Sequence, residues 1–205
     1  RGIGDEGALV VERAPEALAA DIRKIPGVAA ADTRVVEDVT LSVPGLPEPA
    51  SGRLISIPVP VIPAMNGLAL REGRFPTSDA AQEIVVSETF ARANRLNVGD
   101  RVGVILNGRW KQLTIIGLAL SPEYVYEVSP AMVFPDSRRF GVMWMSREML
   151  GDAFDMDGAF NDVALKLAHG ASEGDVIQAL DALLEPYGGL SAYGRVDQAS
   201  NRFLA

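Results

Sequence analysis

The chain has 205 residues, of which 48% are hydrophobic and 22% are charged; this is ordinary for a globular protein with enough length to bury a core. Its 27 acidic residues outnumber 19 basic ones and give a net charge of −8, which opposes binding to nucleic acid or to anionic lipid surfaces. The absence of cysteine excludes disulfides, thiol catalysis and zinc–thiolate sites. The longest apolar run, at residues 113–120, is far shorter than the roughly 20 residues of a membrane helix. Because residues 201–205 contain no residues that would end a helix or strand, we expect the chain to be a fragment of a longer protein.

The first part of the chain predicts a strand, a helix and a second strand. Residues 8–12 form a short apolar run that is typical of a strand. Leu18, Ile22 and Ile25 then recur on one helical face, and a Pro-Gly pair ends that helix. Residues 28–41 predict the returning strand.

The same pattern recurs near the end of the chain. Residues 162–167 alternate between apolar and polar side chains, as in a half-buried strand. Ser172 predicts the N-cap of a helix. The apolar face of the helix that follows Ser172 consists of Val176, Leu180, Leu183 and Leu184. The last strand is predicted at residues 190–196.

Two β–α–β units in one chain predict an α+β fold, a split β–α–β (porter-like) sandwich with one antiparallel sheet and both helices on one face. In that topology the first and fourth strands are antiparallel neighbours, so the chain enters and leaves at one edge of the sheet. The second strand ends and the third begins at the opposite edge. We therefore expect an inserted module to lie at the edge remote from the chain ends.

Residues 71–154 predict this inserted module, small and mainly β, and residues 1–70 and 155–205 predict the discontinuous β–α–β lobe. Within the module, residues 83–87 read as a strand and residues 88–96 as a helix. Asn107 and Gly108 separate two further apolar runs, at 101–106 and 110–117, and such a pair strongly favours a hairpin.

Six prolines between residues 44 and 63 interrupt another apolar stretch. Proline cannot donate to a β-ladder, so this segment predicts an edge strand or a crossing connection. After residue 145, Ser146 predicts the N-cap of a short helix.

The residues offer little for catalysis or metal binding. His169 is the only histidine and stands in a polar turn, so a solvated role is favoured. Asp152, Asp155 and Asp157 lack the ligand spacing of a calcium loop. No phosphate-binding glycine motif is present, and the many carboxylates leave an acid–base dyad open. We predict no catalytic residue, no metal and no cofactor.

The segment 121–145 is rich in aromatic residues and methionine. Such side chains are favoured at interfaces, but large apolar residues are also mostly buried. Both a partner-binding surface and a core are therefore consistent with the segment. The same segment contains Met143 and Met145. The candidate contact residues are Tyr124, Tyr126, Met132, Phe134, Phe140 and Trp144.

The order of several motifs resembles the extracytoplasmic domain of MacB/FtsX-like ABC transporter permeases. The resemblance covers nearly the whole chain, and its specificity comes from the order of motifs that are individually degenerate. It starts from Gly73, Arg74 and Phe75. The other matching segments are residues 83–87, 91–96, 98–100, 113–118, 134–146, 160–167 and 189–201.

This resemblance implies a non-catalytic domain between the first two membrane helices of an inner-membrane permease, on its periplasmic side. It also implies that a separate cytoplasmic subunit or domain hydrolyses ATP, that the parent is dimeric, and that an adaptor or substrate protein binds outside. The alternatives are a carboxylate-dependent hydrolase and a free-standing extracytoplasmic adaptor or adhesion module.

Overall fold

A computed structural model of the chain describes residues 6–59, 67–76, 82–124, 136–188 and 190–194. The chain divides into two compact units, one formed by Arg1–Val35 and Met156–Ala205 and the other by Val36–Asp155. The first boundary therefore lies after Val35 and not after residue 70 as predicted. The reason is that the strands after Val35 join the second sheet. The inserted unit takes up more than half of the chain and is not small.

Strands dominate the described residues. The helices are α1 (Ala19–Ile22), α2 (Glu88–Asn94), α3 (Arg147–Ala153) and α4 (Glu173–Leu184), with 3₁₀ turns at Glu16–Leu18 and Glu185–Tyr187. The strands are β1 (Glu6–Pro15), β2 (Val28–Arg34), β3 (Val36–Ser42), β4 (Ala50–Ile57), β5 (Ala69–Gly73), β6 (Glu83–Ser87), β7 (Arg101–Leu106), β8 (Arg109–Leu120), β9 (Phe140–Ser146), β10 (Ala159–Leu167) and β11 (Leu190–Gly194).

The first unit contains a four-stranded sheet in the order β11-β1-β10-β2. Every neighbouring pair in it is antiparallel. This order places the first strand between the fourth and the third, which confirms the predicted split β–α–β arrangement. The strand predicted over residues 28–41 is two strands, because the chain leaves this sheet at Val35 and continues as β3 in the other unit.

One hydrophobic core joins the helices of the first unit to its sheet. Ile22 of α1 is fully buried, and Leu18 and Ile25 pack beside it as the helical spacing predicts. In α4 the buried face is Val176, Leu180 and Leu184. The predicted cap is also present, since Ser172 Oγ accepts a hydrogen bond from the backbone N–H of Asp175 at 3.4 Å.

The strands of this sheet begin and end at two opposite edges, and these edges carry different parts of the chain. At one edge the start of β1 lies opposite the end of β11, with Gly7 paired to Gly194. At the other edge the end of β2 lies opposite the first half of β10, with Arg34 paired to Asp162. The chain therefore passes to its second unit at the edge remote from the β1 start and the β11 end.

The second unit is built on a seven-stranded sheet in the order β5-β8-β6-β9-β4-β3-β7, in which β7 also pairs with β8. This extra pairing closes six of the strands into a ring. The closure is possible because β8 is long: residues 109–114 pair with β7, and residues 117–120 pair with β5 on the same side. The strand pairs β4–β9 and β6–β8 are parallel, and the others are antiparallel.

Local signals in this unit are mostly confirmed. Asn107 and Gly108 adopt φ angles of 44° and 75° between β7 and β8, the conformation that a tight hairpin with two central residues at positive φ requires. Helix α2 ends two residues earlier than predicted, where Arg95 takes a left-handed conformation as the C-cap. Ser146 caps α3, accepting a hydrogen bond from the Met149 N–H at 3.2 Å.

The prediction of an edge strand in the proline-rich segment is wrong for Ala50–Ile57, and residues 60–63 of that segment lie outside the described residues. β4 lies between β3 and β9 and pairs on both sides. The prolines do not interfere with this pairing because Pro49 precedes the strand and Pro58 follows it.

Both sides of the ring strands carry buried side chains. On one side, Gly52 leaves space for Leu41 and Met143, whose atoms lie 2.7 and 2.6 Å from where a Cβ at Gly52 would stand. On the same side, Phe90 of α2 packs against Gly141. The other side holds a separate cluster that includes Ile55, Phe140 and Trp144.

One carboxyl group in the first sheet gives a pH-dependent prediction. Asp32 lies in β2 opposite Ala164. Burial raises the pKa of its carboxyl group from the ordinary value of 3.8, and attraction to Arg34 and Arg23 opposes that effect. The folded state thus holds this proton more tightly than the unfolded chain. Ionisation of Asp32 therefore costs stability as the pH rises from 3.8 through the folded pKa.

We therefore expect Asp32→Asn to be more favourable for stability at neutral pH than in acid. The measurement is the difference in melting temperature between variant and original chain, at about pH 7 and about pH 3. The difference should be more positive at the higher pH. A difference that is the same at both pH values, or is more positive in acid, would contradict the raised pKa.

Candidate functional site

The aromatic segment that the sequence proposes as a contact surface contributes to the core. Phe140 and Trp144 lie on β9 with exposed fractions of 2% and 3%. They belong to the cluster that contains Ile55, Val85 and Val142. Neither side chain is accessible to a partner, so for these residues the core alternative is correct.

Tyr124 is half-buried and packs against the same cluster. Arg53 donates hydrogen bonds to its hydroxyl group and to Asp38, the latter at 2.8 and 2.9 Å. Burial lowers the pKa of Arg53, but these hydrogen bonds outweigh it, so the net shift is upward. Tyr124 is therefore held by a structural contact. Tyr126, Met132 and Phe134 lie outside the described residues.

The residues considered for catalysis or metal binding do not lie together in the structure. His169 is exposed in the turn after β10. Asp155 Oδ2 accepts a hydrogen bond from Asn107 Nδ2 at 3.4 Å, which gives that loop a structural partner. Within the part of the chain that the structure describes, no three His, Asp or Glu side chains converge as metal ligands would.

A buried ion pair lies at the edge of the first sheet where the chain leaves for its second unit. Arg34 Nε and Nη2 both lie 2.6 Å from Asp162 Oδ1. The two side chains are only 9% and 8% exposed. A carboxylate fixed by a guanidinium in this way is not a free acid–base group, so this buried aspartate does not favour the hydrolase alternative.

Among the described residues of the second unit, the two most exposed large apolar side chains lie elsewhere, on the β7–β8 hairpin. Trp110 is 62% exposed and Ile105 is 43% exposed. They are directly opposite one another across the hairpin. The indole lies against Gly103, since a Cβ added there would be 2.9 Å from Trp110 Nε1. An exposed tryptophan supported in this way is typical of a contact residue. Trp110 is not among the contact residues predicted from the sequence, although it stands two residues after the hairpin glycine.

The sequence matches the model of one family, described as the MacB-like periplasmic core domain, over residues 4–183. No curated protein sequence matches the chain. Among the described residues, none of the helices combines the length and apolar character needed to cross a membrane.

Two solved structures share the fold. The periplasmic region of MacB from Actinobacillus actinomycetemcomitans aligns with 93% of this chain and 89% of its own, with a TM-score of 0.54 and 13% identity. The extracellular domain of YknZ, a noncanonic ABC-type transporter from Gram-positive bacteria, aligns with 93% of this chain and 99% of its own, with a TM-score of 0.56 and 14% identity. The chain therefore belongs to the MacB-like periplasmic core domain family, the extracytoplasmic domains of ABC transporter permeases.

Proposed function

We propose that this domain binds an adaptor or substrate protein outside the membrane and passes ATP-driven movement to it. ATP hydrolysis takes place on a cytoplasmic subunit or domain of a dimeric parent permease. The domain itself carries out no chemistry. Its part is to couple movement of two membrane helices to a protein surface.

The observation that supports this proposal most strongly is the connectivity of the first sheet. The start of β1 and the end of β11 are hydrogen-bonded neighbours, so two membrane segments joined to them would pull on adjacent strands. The connection to the second unit leaves from the opposite edge, beside the buried pair Arg34–Asp162. A displacement applied at one edge is thus carried through paired strands to the other.

The test uses the parent permease reconstituted with its ATPase in lipid nanodiscs. Lys24→Cys in the first unit and Asp152→Cys in the second are both exposed and accept nitroxide labels. The chain has no cysteine of its own. Pulsed electron paramagnetic resonance then measures the distance between the labels without nucleotide and with ATP trapped by vanadate. We expect the distance distribution to change with nucleotide.

A matched control separates movement of the units from local effects of the labels. Lys24→Cys with Lys166→Cys places both labels in the first unit, at exposed positions. Its distance should not depend on nucleotide. If the pair spanning the two units also stays unchanged while ATP is hydrolysed, the proposed transmission of movement is wrong.

A further inference from the structure

A cleft of about 650 Å³ in the second unit is lined by three arginines and one aspartate, Arg95, Arg101, Arg138 and Asp100. All four side chains belong to exposed residues. In a chain with a net charge of −8, such a local excess of positive charge is unexpected. The cleft opens between the end of α2, the start of β7 and the turn after β3.

These three arginines have no ion-pair partner among the described residues, whereas five other arginines of the same unit do. The paired ones have a carboxylate oxygen within 2.6–3.8 Å; they are Arg53, Arg71, Arg74, Arg92 and Arg139. Asp100 does not neutralise the cleft, since its single carboxylate stands against three guanidinium groups. Its Oδ2 accepts a hydrogen bond from the backbone N–H of Asn97 at 2.8 Å.

The arginines are attached to ordered backbone. Arg95 is the left-handed C-cap of α2, and its N–H is bonded to the carbonyl groups of Ala91 and Arg92. Asn94 Nδ2 donates to the backbone oxygen of Arg138 at 3.2 Å, which joins that turn to α2. The backbone of these arginines is therefore held in place around the cleft, and each guanidinium group is a planar fork that fits a carboxylate.

The cleft is continuous with the exposed apolar pair on the β7–β8 hairpin. Arg101, Gly103 and Ile105 alternate along one face of β7, and the indole of Trp110 lies over Gly103. Ile105 stands four positions after Arg101 along the strand, which is a distance of about 13 Å. Charge and apolar area thus form one strip, which we call the arginine–tryptophan strip.

We propose that the arginine–tryptophan strip binds an extended segment of a partner protein, with acidic side chains in the cleft and an apolar side chain against Trp110. This rests on the proposed function, for which it names the surface and the chemistry of the partner. Three unpaired guanidinium groups favour carboxylates. The adjoining indole and Ile105 favour a protein segment over a small inorganic anion, which has nothing to place there.

The probe is a fluorescein-labelled peptide with two glutamates and, about three residues further on, a leucine and a phenylalanine, the spacing that an extended chain needs. Its binding to the 205-residue chain is followed by fluorescence anisotropy. We expect replacement of Arg95, Arg101 and Arg138 together by glutamine to weaken binding at least about tenfold. Raising NaCl from about 50 to about 300 mM should weaken binding by the original chain.

Arg109→Gln is the control for loss of one positive charge outside the cleft, because this exposed residue of the hairpin does not line the cleft. It should change the dissociation constant of the peptide less than about twofold.

Trp110→Ala should weaken peptide binding and leave the melting temperature of the chain nearly unchanged. A chain carrying Arg95→Glu and Arg138→Glu should bind a peptide with lysines in place of the glutamates better than the original peptide.

Three results would overturn the proposal. The first is no binding of the glutamate peptide at about 1 mM. The second is equal weakening by the triple glutamine variant and by Arg109→Gln, which would mean a nonspecific charge effect. The third is a combination of two findings: inorganic phosphate displaces the peptide at a concentration equal to that of the peptide, and Trp110→Ala has no effect on peptide binding. This combination would mean a simple anion site. None of these results affects the nucleotide-dependent distance that tests the proposed function.

Discussion

Replacing Trp144 by alanine should lower the free energy of unfolding by about 3–5 kcal/mol. The indole is 3% exposed and packs in the cluster with Ile55 and Val85, the residues of β4 and β6 that lie opposite it. Its removal leaves a large cavity between paired strands that cannot collapse without breaking their hydrogen bonds. Urea unfolding followed by circular dichroism measures the loss.

Trp110→Ala is the control, since it removes the same side chain from a position that is 62% exposed. Its cost should be less than about 1 kcal/mol, as for most surface substitutions. The two tryptophans thus separate core from contact surface in one experiment. A similar loss for both variants, or a larger loss for Trp110→Ala, would contradict the assignment of β9 to the core.

Asp162→Ala should also cost about 3–5 kcal/mol, because it removes the carboxylate that contacts the buried guanidinium of Arg34. Both side chains are less than one-tenth exposed and lie 2.6 Å apart on neighbouring strands. The loss should appear in the unfolding of the first unit, measured by urea denaturation.

Two variants decide whether the buried charge is responsible. Asp21→Ala removes an exposed partner of Lys24 and should cost less than about 1 kcal/mol. The double variant Arg34→Met with Asp162→Leu removes both charges and should recover most of the stability lost in Asp162→Ala. If the double variant is as unstable as Asp162→Ala, unpaired charge is not the cause of the loss.

The sequence predicts the frame well where the signals are local. Helix α4 is predicted because its buried side chains repeat at helical spacing and Ser172 caps it. The hairpin at Asn107 and Gly108 follows from residues that tolerate positive φ. The order of the first sheet follows from the repeated β–α–β pattern and the handedness of its crossovers.

The boundary between the units was not predictable in the same way. Residues 28–41 read as one continuous strand, and only the pairing partners show that β2 and β3 belong to different sheets. The closure of the ring is equally non-local, since it depends on β8 being long enough to pair with β7 and β5 in succession. No spacing within one segment carries that information.

Burial shows that two of the candidate contact residues, Phe140 and Trp144, belong to the core. Aromatic residues near prolines resemble an interface in composition, yet Phe140 and Trp144 point into the core of a central strand. The arginine–tryptophan strip has no sequence signature because Arg95, Arg101 and Arg138 are far apart in the chain. They meet only once α2 and β7 pack beside the turn that precedes β9.

The central claim is that the domain lies outside the membrane with its first and last strands side by side. The direct test is the pair Gly7→Cys with Gly194→Cys in the parent permease in intact cells. These residues are opposite one another in β1 and β11, and thiols outside the cytoplasm are oxidised to disulfides. We predict a disulfide between them, seen as a faster-migrating band without reductant after free thiols are blocked. Two free thiols in the membrane-embedded protein, even with a mild oxidant added, would contradict the account.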